Sequence, residues 1–215
     1  MSEAMVVENI SEAYWLLQGY WTKSRYPFQT KGHGWSDIDV LAYHPEQKVL
    51  VISESKVRGK KKDVFVYPKE PGYNIFQFDK EMGNYLSFLS HIKEICFGDH
   101  IFENFRAMVK ILVVQLVSNY YIKDRDLPEV KKDIYKRVKR DVPKNVELQI
   151  RLDTTFKIFC EIIKGVNADR RGRRYGHPVL DIGQFLWPTI EVTDSDCKNV
   201  SPRLFLRDWP RYAIA

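Results

Sequence analysis

The chain has 215 residues, 44% of them hydrophobic and 29% charged, with a net charge of +6 and a sequence pI of about 9.1. That is enough chain to bury a core, and an aromatic content of 13% argues against disorder. No apolar run approaches the roughly 18 to 20 residues that a membrane span needs, so no membrane partner is expected. The opening "MSEAMVVENISEAYW" lacks the basic start and apolar core of a secretory signal, and a cytoplasmic address is expected. Cys96, Cys160 and Cys197 stand far apart and form an odd set. They read as buried free thiols, and neither they nor the scattered histidines have the spacing of zinc ligands.

In chain order, spacings of three and four at Val6, Ile10, Ala13 and Leu17 predict a helix over 3–18, with Gly19 as its stop. At 100° per residue Glu8 and Glu12 lie opposite that stripe. "YWTKSRYPFQT" (20–30) reads as a strand bent at Pro27, and "KGHGW" (31–35) as a turn. "DIDVLAY" (37–43) and "KVLVISESKV" (48–57) read as an antiparallel hairpin turned at "HPEQ". A basic loop, "RGKKKD", follows. Residues 74–95 return to helical spacing, and the valine-rich run 107–118 reads as a strand covered on both faces. Pro128 opens a helix that buries Leu127, Val130, Ile134 and Val138, and 146–152 reads as another strand. Asp153 is the expected cap of a helix running through Phe156, Phe159, Ile163 and Val166. Past Asn167 the pattern becomes irregular, with prolines at 178, 188, 202 and 210.

Charged residues interrupt the hairpin strands. Residues i and i+2 of a strand share a face, so Asp37 joins Asp39, and Glu54 joins Lys56. If the strands are neighbours, two carboxylates and an ammonium converge on one small volume. Burying unpaired charge costs several kcal/mol or more, so such a cluster needs an ion or mutual pairing. Oxygen donors suit a hard divalent cation such as Mg²⁺, which polarises phosphoryl oxygens and acidifies bound water. The plainer reading is an exposed Glu54–Lys56 pair on an edge strand with Asp39 facing solvent.

The stretch "SDIDVLAYHPEQKVLVISESK" resembles the PD-(D/E)XK nuclease signature of archaeal Holliday-junction resolvases and restriction-endonuclease-like proteins. There an "(E/D)IDxxA" strand precedes "ExK". Upstream, "VENISEAYWLLQGYW" is similar to that family's first helix, whose glutamate precedes a "GY" ending. Specific motifs cover roughly residues 5–60; from there to about 160 the resemblance is only in element order. Two departures are Asp37 where the family prefers glutamate and the absence of a literal "PD". The resemblance implies an α/β, restriction-endonuclease-like fold: a central mixed β-sheet flanked by helices in an αβββαβ core over 1–166, with a C-terminal extension over 167–215. It implies Asp39, Glu54 and the Ser55 carbonyl as ligands of Mg²⁺, with Mn²⁺ as substitute, and Lys56 as the residue that orients the attacking water. Glu8 matches the helix glutamate by its distance to Gly19–Tyr20, with Glu12 one turn later as rival. Gln77 resembles a glutamine that some relatives bring toward the site.

Basic segments suit a polyanionic partner. Arg58, Lys60, Lys61 and Lys62 follow Lys56 closely, and Arg173 and Arg174 lie in "RRGRRYG". Both read equally well as solvated loops or as phosphate contacts. "KKDIYKRVKR" (131–140) reads first as the outer face of a surface helix. The expected function is metal-dependent phosphodiester hydrolysis, with nucleic acid, DNA before RNA, as partner; a homodimer is compatible with the chain. The alternatives are a nucleic-acid-binding protein on the same fold that does not cleave, and a fold used only for partner interactions.

Overall fold

Helix α1 (Glu3–Leu17) stops because Gly19 takes φ +87°, a conformation open to glycine, which returns the Gly19 amide to the Leu16 carbonyl at 3.0 Å. The chain then enters strand β1 (Trp21–Gln29) and runs back as β2 (Trp35–His44), with the Thr30 amide donating to the Gly34 carbonyl at 2.8 Å where the two strands meet. A four-residue turn with Lys48 at φ +57° leads into β3 (Val49–Lys56). The computed structural model describes residues 3–30, 32–57, 64–65, 86–97, 108–118, 121–122, 126–168 and 175–186. Within these lie β4 (Val64–Phe65), a 3₁₀ turn (Ser87–His91) leading into α2 (Ile92–Phe97), β5 (Ile111–Ser118) and β6 (Tyr121–Ile122). Helix α3 (Leu127–Lys139), β7 (Glu147–Thr154), α4 (Thr155–Ala168) and α5 (Pro178–Leu186) complete them.

The fold is α/β, with a five-stranded open mixed sheet in the order β1-β2-β3-β5-β7. The pairs β1/β2 and β2/β3 are antiparallel, while β5 and β7 run parallel to β3. Strands β4 and β6 form a separate two-residue parallel pair. Central strands β3 and β5 are buried along nearly their whole length, because helices cover both sheet faces. On one face α1, α4 and α5 enclose Val51, Val113, Ile158, Ile162 and Leu180; on the other, α2 and α3 enclose Ile52, Leu112, Ile92 and Ile134. Helix α3 buries Val130, Ile134 and Val138 as its spacing predicts, leaving Lys131, Lys132, Lys136 and Arg140 exposed.

Four expectations are corrected. The sheet-facing line of α1 is not the Val6–Ile10–Ala13–Leu17 stripe: Val6 is 44% exposed, while Val7, Glu8, Ser11 and Trp15 are buried. Ala13 and Leu17 instead serve a second covered side, where Gly165 of α4 approaches Leu17 closely enough that an added Cβ would meet it at 2.5 Å. Strand β1 bends not at Pro27, which stays in register with Asp37, but at Arg25, where φ is +51°. Asp153 belongs to β7 and does not cap α4; the Thr154 hydroxyl takes that role, accepting the Lys157 amide at 3.1 Å. Pro178 starts a helix where an irregular tail was expected, since the first helical turn needs no amide from it.

The bend at Arg25 has a consequence for side-chain direction. Thr22 and Arg25 both reach α1, through Glu12 and Glu8, although an odd separation should send them to opposite faces. On β2, Ile38 joins the same core cluster as Leu41 and Tyr43, again an odd separation. Ser24 pairs with Val40 and Tyr26 with Ile38, so Arg25 and Asp39 stand opposite each other where the alternation changes over. The β2/β3 ladder also reaches only to Val40–Ser53. Asp39 therefore sits at a fork between strands, within reach of both faces.

Candidate functional site

At the fork, a carboxylate takes a backbone amide in place of the ladder: the Ser55 amide donates to Asp39 Oδ2 at 2.6 Å. Lys56 Nζ is hydrogen-bonded to Glu54 Oε1. Glu54 is 7% exposed and Asp39 half-buried. Burial pushes the Glu54 carboxyl up to about 7, the charge of Asp39 adds to this, and Lys56 opposes it. Burial also raises Asp39, with Glu8 and Asp37 adding to the rise and the Ser55 amide and Lys56 working against it.

Glu8 enters from α1. It is 7% exposed, one helical turn before Ser11, whose hydroxyl lies 2.8 Å from that of Ser53. Both Glu8 oxygens accept from Arg25 Nη2, at 2.8 and 3.0 Å, and Arg25 Nη1 lies 3.5 Å from Asp37 Oδ2. Glu12 takes another course: it accepts from the Thr22 hydroxyl at 3.1 Å and lies 3.7 Å from His177 Nε2. The nearby His177 imidazole holds its carboxyl below the ordinary range against the opposing effect of burial. Of the two helix glutamates, Glu8 shares the surroundings of Asp39.

No family model, curated protein or solved structure matches the chain.

The structure thus brings Asp39, Glu54 and Lys56 together, sets Glu8 among the charges acting on Asp39, leaves Asp37 exposed beside Arg25, and turns Glu12 toward β1 and the start of α5. Arg58, Lys60, Lys61, Lys62, Gln77, Arg173 and Arg174 lie outside the described residues. Arg25 was not singled out in the sequence. One signal could have found it: folding the hairpin about Gly32 puts Arg25 opposite Asp39, which is the observed register.

The donor set fits a hard divalent cation. It consists of oxygens only, and the charge of Asp39 acts against ionisation of Glu54, a repulsion that a cation between them would relieve. Among the described residues no three acidic, histidine or cysteine side chains close on a common point. Glu8, the nearest candidate for a third, is engaged by Arg25. Two carboxylates and a backbone carbonyl, with water completing the shell, match the way Mg²⁺ is usually held.

Proposed function

We propose that the chain is a metal-dependent nuclease of the PD-(D/E)XK type, on a restriction-endonuclease-like fold, hydrolysing phosphodiester bonds in DNA. The observation that carries this reading is the meeting of Asp39, Glu54 and Lys56 at the fork between β2 and β3, tied by the Ser55 amide and the Lys56 ammonium. Asp39, Glu54 and the Ser55 carbonyl would hold Mg²⁺ or Mn²⁺. When bound, the ion supplies polarisation of a phosphoryl oxygen and a more acidic water. Lys56 orients the attacking water, and its charge stabilises the extra negative charge on phosphorus in the transition state. Hydrolysis joins the water oxygen to phosphorus and releases one ester oxygen as a hydroxyl.

The order of strands and helices supports the same reading. An antiparallel β1-β2-β3 meander continues into parallel β5, with α1 against the sheet. No helix among the described residues is long and apolar enough to cross a membrane. A second reading, nucleic-acid binding without cleavage, is favoured by one observation, that among the described residues no third carboxylate joins Asp39 and Glu54. Incubation of the full chain with supercoiled, linear, branched and single-stranded DNA, and with RNA, separates the two. Cleavage in Mg²⁺ or Mn²⁺ that stops in EDTA is expected. Binding without cleavage on every substrate would establish the second reading.

A further inference from the structure

Arg25 is placed at a cost that nothing in its own strand requires. A side chain at φ +51° crowds its neighbouring carbonyl, and non-glycine residues accept that conformation where surrounding contacts impose it. The contact here is a guanidinium on both oxygens of a buried carboxylate, at 2.8 and 3.0 Å. With Arg25 in an extended conformation, alternation would send its side chain to the face away from α1. The left-handed residue turns the guanidinium toward Glu8, directly opposite Asp39 in the hairpin register. Glu8 is one of the charges acting on Asp39, so the place at which Arg25 holds it matters at the fork.

We infer that Arg25 is a positioning residue of this site, fixing the place and orientation of the Glu8 carboxylate near Asp39. Glu8 then acts as a hydrogen-bond acceptor held at a set place for water at the site, without joining the metal ligands, and Arg25 acts through it. One guanidinium nitrogen, Nη2, spans both Glu8 oxygens while Nη1 lies 3.5 Å from Asp37, so a single planar group faces two carboxylates at once, which the point charge of a lysine ammonium does not reproduce. This inference rests on the nuclease reading for its effect on rate, while its structural part stands apart from it.

The test uses the full chain with R25A, R25K, R25G, E8Q and the R25A/E8Q double variant, assayed for cleavage, for Mn²⁺ affinity by the electron spin resonance of free Mn²⁺, and for thermal unfolding. R25A is expected to lower kcat at least tenfold with KM and Mn²⁺ affinity within about threefold, and R25K to recover part of the loss. The double variant should be no slower than the slower single variant, as for residues that act as one unit. R25G removes the guanidinium without the backbone strain; it should unfold no lower than R25A and remain slow, which separates positioning from loss of fold. A crystal structure of R25A should show the Glu8 carboxylate turned from its present place. An unmoved Glu8, additive losses, or a loss confined to KM would overturn the inference. If the parent chain cleaves nothing while Glu8 still turns in R25A, the nuclease reading fails and the positioning of Glu8 by Arg25 stands.

Discussion

Lys56 contributes one positive charge, but it lies beside two carboxylates that burial has already pushed toward neutrality. Its removal should therefore affect chemistry far more than adhesion to a polyanion, where one cation among many counts little. Lys56→Ala is expected to slow cleavage about a hundredfold, roughly 2.7 kcal/mol of barrier, with DNA affinity within about twofold by anisotropy. Comparable losses of rate and affinity would make Lys56 a binding residue. The helix glutamates give a second contrast. They stand one turn apart, about 5.4 Å along the axis, and their partners differ: Arg25 for Glu8, Thr22 and His177 for Glu12. Glu8→Gln should lower kcat at least tenfold, about 1.4 kcal/mol, while Glu12→Gln stays within about twofold of the parent. The reverse ranking in single-turnover assays would move the assignment one turn along α1.

How α1 is seated decides where Glu8 points, and polar contacts seat it. Trp15, 2% exposed, donates from Nε1 to Gln115 Oε1 at 2.8 Å, and Gln115 Nε2 donates to Asp153 Oδ2 at 2.9 Å. Arg151 Nε and Lys157 Nζ also donate to Asp153, at 3.1 and 2.9 Å, and Arg151 Nη2 reaches the Tyr14 hydroxyl at 2.9 Å. The network thus joins α1, β5, β7 and α4. Burial alone would raise the Asp153 carboxyl, but Arg151 and Lys157 outweigh it and hold it below the ordinary range. A carboxyl depressed on folding contributes stability that is present above its unfolded pKa and is lost as pH falls through its folded pKa. Asp153→Asn should cost about 2–3 kcal/mol near pH 7, since it leaves two cations facing a neutral amide. The gap between variant and parent should close on acidification below about pH 4. Chemical denaturation at pH 7 and pH 3 checks both, and an equal gap at the two values would show that packing, not charge, sets the cost. An apolar stripe identifies only the side of a helix that meets other apolar side chains. The Glu8–Ser11–Trp15 side of α1 is buried through hydrogen bonds and ion pairs made by β1, β3 and β5, so hydropathy spacing could not show it.

At the scale of the molecule, two raised carboxylates facing each other across β2 and β3 make the metal-free protein sensitive to pH. The Glu54 carboxyl lies near 7 when folded and near 4.5 in its ordinary state. Between those values the folded chain binds more protons than the unfolded one. The contribution of this group to stability therefore falls as pH rises through that window. A divalent cation should offset the loss, because a ligand that binds only the folded state adds RT ln(1 + [L]/Kd), about 2.7 kcal/mol at a hundredfold excess over Kd. Mg²⁺ or Mn²⁺ should raise Tm at pH 8, and by less at pH 5, in the parent chain. It should do neither in a chain carrying Asp39→Asn and Glu54→Gln. An equal rise in that variant, measured by differential scanning fluorimetry, would place the cation elsewhere.

The amino-acid sequence by itself determined the element types that depend on local pattern. The valine-rich run forms a strand over Ile111–Ser118, and the hairpin of β2 and β3 and the Val130–Ile134–Val138 face of α3 are present, because burial on one or both faces writes itself into hydropathy period. It also exposed the acid-x-acid and E-x-K spacings, since charge inside an apolar strand stands out from its neighbours. Three-dimensional packing decided the rest. Which helix glutamate shares the surroundings of Asp39 depends on the rotation of α1, which is fixed by Trp15 and Gln115, a hundred residues apart. Asp153 looks like a helix cap until Arg151, Lys157 and Gln115 surround it. Arg25 is an unremarked arginine in an edge strand until the hairpin sets it opposite Asp39 and the backbone turns it onto Glu8. In each case the deciding partner is distant in sequence, and the energy that selects it comes from pairing charges and polar groups that the fold has taken out of water.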